Sequence, residues 1–137
     1  MDSLQRFVKA QQNDYAIALA EIRAGRKRSH WMWYIFPQVA GLGHSDTARY
    51  YAIRDLAEAM AYLAHPVLGK RIIEISRSLL HLPGHNATAI FGSPDDLKLR
   101  SSMTLFALVP AADPVFSEVL KKYYDSKKDP ATLELLT

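Results

Sequence analysis

The 137-residue sequence contains no cysteine. This excludes disulfide frameworks, thiolate zinc sites, iron–sulfur clusters and a cysteine nucleophile together. It also leaves no sign of an oxidising compartment. Glycine is scarce, with six residues. The one G-x-G, Gly41-Leu42-Gly43, lacks the third glycine of a dinucleotide fingerprint. Walker loops, G-x-S-x-G and H-E-x-x-H are absent. Long apolar runs are missing too: the longest, Leu105 to Ala112, contains Pro110 and falls far short of the ~18–20 residues of a spanning helix. No membrane association is expected. The start, Met1-Asp2-Ser3-Leu4-Gln5-Arg6, has no apolar leader segment, so a cytoplasmic location is expected. No internal repeat or low-complexity tract is visible.

What is present describes a globular domain. Apolar residues make up 49% and charged residues 23%, and the length suits one domain spanning 1–137. A net charge of +3 permits an anionic partner without demanding one. Helix starts recur along the chain. Proline suits the first helical position, and a side-chain oxygen just before it can cap free N–H groups. Ser93-Pro94, Asp113-Pro114 and Asp129-Pro130 all fit. Asp2…Gln5 and Asp55…Glu58 resemble capping boxes. Apolar residues follow helical spacing: Tyr15, Ala18, Leu19 and Ile22 before Gly25; Leu56, Ala59, Met60 and Leu63; then Leu68, Ile72, Ile75 and Leu79. Leu97, Met103, Leu105, Phe106 and Leu108 crowd another helix, and Val115, Val119 and Tyr123 line one more. These patterns predict a mainly α, compact single-domain multi-helix fold, with eight or so helices, several of them short. The segment His30–Pro37 is apolar almost throughout. It suits a buried strand or a short buried helix equally, and periodicity does not arbitrate.

Three clusters have chemistry to offer. In Arg26-Lys27-Arg28-Ser29-His30-Trp31-Met32-Trp33-Tyr34, cations for phosphate precede aromatic faces for bases. The bland alternative is a solvated helix end followed by core aromatics. Gln38 to Ser45 is a loop whose glycines allow close backbone approach to a ligand, with Ser45 or Asp46 as a cap. In Phe91 to Thr104, Asp95 and Asp96 stand one turn before Lys98 and Arg100, and Lys98 shares a helical face with Ser101 or Ser102. An acid, a cation and hydroxyls in one patch suit a sugar phosphate or a glycosidic bond; caps and surface ion pairs explain the same residues structurally. His81-x-x-x-His85 has zinc-like spacing, but Pro83-Gly84 breaks the helix between the rings, so no metal site is expected.

The stretches Gly25–Gln38, Gly41–Gly43 and Phe91–Phe106, with Tyr51-Ala-Ile53 and Tyr62-Leu-Ala-His-Pro66, resemble domain-of-unknown-function family 1810 along essentially the whole chain. The resemblance implies a mainly α-helical fold and carries no established activity or cofactor. Some members bear the label calpastatin. Inhibitory calpastatin repeats are extended and disordered when free, so a sequence with a core gives that label no support. A more distant, fold-level similarity is to NADAR-type proteins, associated with NAD and ADP-ribose chemistry. The resemblance places weight on polar residues within its motifs. The resulting expectation is a pocket for a nucleotide or ADP-ribose-like anion. Lys27 and Lys98 would hold phosphate, with Gln38 and Ser102 beside them. Trp31 or Trp33 would stack on a base, and Asp96 and His30 would be the acid–base candidates for hydrolysing a glycosidic bond. The alternatives are a non-catalytic nucleic-acid binder using Arg26–Arg28, and a protein-interaction module.

Overall fold

The computed structural model describes residues 3–137. Among these residues are nine helices: α1 (Gln5–Arg23), α2 (Met32–Ile35), α3 (Asp46–Tyr50), α4 (Leu56–Ala64), α5 (Leu68–Leu80), α6 (Ala87–Phe91), α7 (Asp95–Ala107), α8 (Val115–Tyr124) and α9 (Pro130–Leu135). Extended pairing among the described residues is limited to an isolated parallel bridge, Val39 with Ile53. No described helix is long and apolar enough to cross a membrane.

The fold is built around α7. Its residues Ser101 to Phe106 are buried consecutively, as in a helix covered on all sides. It packs against α4, α6, α8 and α9, while α5 packs against α1, α4 and α8. The stripe Leu68, Ile72, Ile75 and Leu79 is wholly buried, as its spacing predicts. The first turn of α7 emerges from the core, and it carries Asp95, Asp96 and Lys98.

Helix ends follow the predicted chemistry in part. The Asp129 carboxylate accepts from the backbone N–H of Thr132 and from the hydroxyls of Thr132 and Ser101. Asp113 accepts from the N–H of Val115 at 2.9 Å, but Pro114 stands before α8 at its N-cap and not at its first helical position. Asp55 accepts from the N–H of Glu58, but the other half of that capping box is not made. Glu58 turns instead to Ser3, Arg6 and the amide of Arg54. Ser93 does not cap α7: the N–H of Asp96 donates to the carbonyl of Gly92, and those of Leu97 and Lys98 to that of Pro94. Backbone carbonyls thus occupy the role expected of the serine. The proposed Asp2…Gln5 box begins at Asp2, outside the described residues. Gly25, at φ +83°, ends α1 as expected. Its N–H donates to the carbonyl of Ile22 and that of Arg26 to Glu21, the paired bonds of a Schellman ending. Replacing Asp129 by alanine is expected to cost about 2 kcal/mol in urea unfolding, the upper end for a lost cap, because three donors lose one acceptor. A loss under a few tenths would show that water replaces it freely.

Two residues placed on core faces are exposed, Met60 at 46% and Leu97 at 57%. On α4, Glu58, Ala59 and Tyr62 are the buried positions. Glu58 faces inward because Arg6 and Ser3 reach it from the α1 end, which turns Met60 out. On α7, the apolar contacts begin at Leu99, leaving Leu97 on the emergent turn.

Candidate functional site

The segment after α1 is held by a carboxylate. One oxygen of Glu21 accepts from the N–H groups of Arg28 and Ser29, at 2.7 and 3.0 Å, and from the indole N–H of Trp31 at 2.9 Å. The other accepts from the Ser29 hydroxyl. Burial raises the Glu21 pKa, but these bonds outweigh it and hold the group at about 2. The loop is also tied to α6, since the N–H of Lys27 donates to the carbonyl of Ile90 at 2.8 Å. Trp31 and Phe36 then pack edge-on against Phe91 of α6, two residues before the Ser93-Pro94 turn into α7. The ambiguous segment 30–37 therefore contains the short helix α2, and its aromatics join the 25–38 motif to the 91–106 motif.

At this junction two lysines meet one acid. Lys27 Nζ lies 2.9 Å from one oxygen of Asp95, and Lys98 Nζ lies 3.4 Å from the other. The three side chains are 9%, 29% and 20% exposed in the order Lys27, Lys98, Asp95. Each ammonium also sits over an indole. Lys27 is 5.1 Å from the Trp31 ring centre and Lys98 is 5.6 Å from that of Trp33, within cation–π range. Two positive charges share one negative charge, so one positive charge is left over. Ser102 follows Lys98 by four residues and Asp95 by seven, on the same side of α7. Ser102 is 0% exposed, so a ligand at the cluster does not reach it, and its hydroxyl has no hydrogen-bond partner among the described residues.

The remaining candidates divide. Trp31 is 1% exposed, so no base can stack on it, whereas Trp33 is half-buried. Gln38 fixes the chain through its carbonyl, which accepts from Ile53. With Trp33 it borders a crevice of about 10 Å³, room for about one water. Ser45 caps α3 by accepting from the N–H of Ala48. His30 is exposed, and its carbonyl faces the Tyr34 hydroxyl at 3.4 Å. Asp96 is used elsewhere: its carboxylate accepts from the Thr88 hydroxyl and the N–H of Leu97, and its carbonyl from the Tyr124 hydroxyl. The acid that meets both lysines is its neighbour. The sequence carries one signal for Asp95, its i,i+3 spacing from Lys98. Glu21 had no signal, since its partners lie seven to ten residues away in a loop. Among the described residues, no group of three or more histidine, aspartate or glutamate side chains is arranged to hold a metal.

A family model described as a protein of unknown function, DUF1810, matches residues 1–136. Among solved structures, the chain is similar to the conserved hypothetical protein Rv1873 from Mycobacterium tuberculosis, in a crystal structure at 1.38 Å. Identity is 50%, the match covers 97% of this chain and 95% of that one, and the TM-score is 0.95. No curated protein matches. The matched descriptions name neither a calpastatin nor a NADAR-type protein.

Proposed function

This chain belongs to the DUF1810 family of proteins of unknown function, and we propose that it binds a nucleotide or ADP-ribose-like anion at the Lys27–Asp95–Lys98 cluster. The observation that carries this reading is the meeting of two ammonium groups, from a loop and from α7, on one carboxylate. Removing a cation from water costs several kcal/mol unless it is paired. One lysine and one aspartate would satisfy packing; the second lysine adds charge that a ligand can use. A phosphate dianion replacing the Asp95 carboxylate would meet both ammonium groups with charge-assisted hydrogen bonds. Trp33, beside Lys98, offers the base a face.

Hydrolysis of a glycosidic bond in such a ligand is the reaction proposed for the site. Water's hydroxyl would go to the anomeric carbon and its proton to the leaving group. Asp95, displaced from the lysines by the phosphate, takes the place of Asp96 as the carboxylate that would accept water's proton, and His30 is the exposed group to test as the donor to the leaving group.

Thermal unfolding with ADP-ribose, AMP and inorganic phosphate tests the binding. A ligand at a hundredfold excess over Kd adds about 2.7 kcal/mol, or roughly 8–10 °C in Tm for a chain of this size. Lys98→Ala is expected to abolish the shift while leaving the fold intact, because its ion pair is partly exposed. Asp95→Asn is expected to tighten phosphate binding about tenfold, because it removes the competing anion. No shift with any of the three ligands would overturn the reading. Binding without release of base or ribose would remove the hydrolysis alone. Arg26 and Arg28 are exposed on either side of inward Lys27, which favours single-stranded nucleic acid as a second reading. That reading expects affinity to fall steeply with salt.

A further inference from the structure

A second basic locus shares no residue with the lysine cluster. Lys70, Ile73, Arg77 and His81 recur at three- and four-residue spacing along one stripe of α5 and just past its end. Arg23, the last residue of α1, and Leu82 complete a groove of about 640 Å³. From Lys70 to His81 the stripe runs roughly 16 Å at the helical rise. Ile73 and Leu82 are half-buried and pack against the core, which makes them a fixed apolar floor.

The charge here is not spent on the fold. Basic residues near a helix C-terminus often serve its free carbonyls. On α5 Lys122 already does so: its ammonium donates to the carbonyls of Leu79 and Leu80 at 3.1 Å, and to that of Leu82. Arg77 reaches Asp113 with one nitrogen at 3.4 Å, which leaves the other donors of its fork. The acid on the stripe, Glu74, accepts from the Tyr15 hydroxyl. Three basic side chains and a histidine therefore line the groove against two carboxylates, Glu74 and the Asp113 that Arg77 reaches.

We propose that this groove binds a small oxyanion, carboxylate or phosphate, that carries a short apolar tail. The arginine forks match either headgroup, and Ile73 and Leu82 take the tail. Two apolar side chains are too few to anchor a partner helix, which needs a longer stripe. The volume lies within the range of roughly 300–1,000 Å³ of small-molecule sites.

An amide NMR titration of the full chain tests this with octanoate, octyl phosphate, inorganic phosphate and octanol, all below micellar concentrations. Octanoate and octyl phosphate are expected to shift the amides of Ile73, Arg77 and Leu82. Their relative affinity identifies the headgroup. Inorganic phosphate and octanol are expected to bind there about tenfold more weakly or worse, since each lacks half of the recognition. The double variant Arg23→Ala, Arg77→Ala is expected to lose octanoate binding with the rest of its spectrum unchanged. Lys98→Ala is expected to retain it, which separates this groove from the lysine cluster. Three results would each overturn the proposal: no localised shift, octanol or inorganic phosphate binding as well as the tailed anions, or unchanged binding by the double variant.

Discussion

Gly69→Ala is expected to destabilise the protein by about 3 kcal/mol, the size of a severe overpacking, and to lower Tm by roughly 10 °C. Propensity alone gives the opposite sign, since alanine is favoured over glycine inside a helix by about 1 kcal/mol. Gly69 lies in the first turn of α5, where the chain has just turned back from α4. A Cβ added there would stand 2.0 Å from the carbonyl oxygen of Leu63 and 2.8 Å from its carbon. Both are backbone atoms, so no rotamer change can relieve the contact. The turn cannot open cheaply either. His65 Nδ1 accepts from the N–H groups of Val67 and Leu68, and the N–H of Gly69 donates to the carbonyl of His65. Separating α4 from α5 would also loosen the buried contacts of Tyr62, Leu68 and Ile72. The natural comparison is Gly84→Ala, where a Cβ meets nothing but φ is +74°. That variant is expected to cost about 1 kcal/mol from backbone strain alone. Urea unfolding of both decides the matter. Equal losses would mean that the α4–α5 turn yields, and that the close approach at Gly69 is not a constraint.

That contact also shows where sequence reasoning stops. Helices were legible mostly where the cause is local, although Ser93 does not cap α7. Asp129-Pro130 starts α9 as its spacing predicts, Gly25 ends α1, and the α5 stripe is buried at every expected position. Misplaced residues trace to distant partners. Met60 is turned out because Glu58 is drawn in by Arg6 and Ser3, more than fifty residues away. Gln11, buried on α1, donates to the carbonyl of Tyr34 and the hydroxyl of Tyr62, a pairing that no local pattern encodes. The lysine cluster was half legible. The local motifs mark Lys27 and Lys98, but their convergence depends on Trp31 and Phe36 packing against Phe91. Successive residues on a helix point about 100° apart, so Asp95 and Asp96 look alike in sequence and face different neighbours. Only the docking of the 26–31 loop decides which one meets the lysines.

The carboxylate that docks this loop should therefore control both stability and ligand binding. Glu21→Ala is expected to cost about 3 kcal/mol, since hydrogen bonds to a charged group contribute about 1.5–3 kcal/mol and a buried donor left alone adds to the loss. The indole N–H of Trp31 is that donor, in a side chain that is 1% exposed. The amides of Arg28 and Ser29 can turn to water, which limits the rest. Acid should reproduce the effect in the wild-type protein. The Glu21 pKa is held at about 2 against an ordinary 4.5, so the unfolded chain takes up the proton first as pH falls. The contribution is whole above about 4.5 and disappears as pH falls toward 2. Glu58 and Asp129, whose pKa values are also lowered by their hydrogen bonds against the effect of burial, will add to the acid loss. The informative quantity is thus the difference between wild type and Glu21→Ala. Between pH 5 and pH 2 that difference is expected to shrink steadily; a gap that stays constant would exclude the charged clasp as its origin. Glu21→Gln keeps an acceptor oxygen and should recover part of the stability, with no acid-dependent part. Because Lys27 lies inside the clasped loop, Glu21→Ala is also expected to weaken phosphate binding at Lys27 and Lys98 at neutral pH. Octanoate binding at the α5 groove should be unaffected, provided that the variant is assayed well below its own Tm.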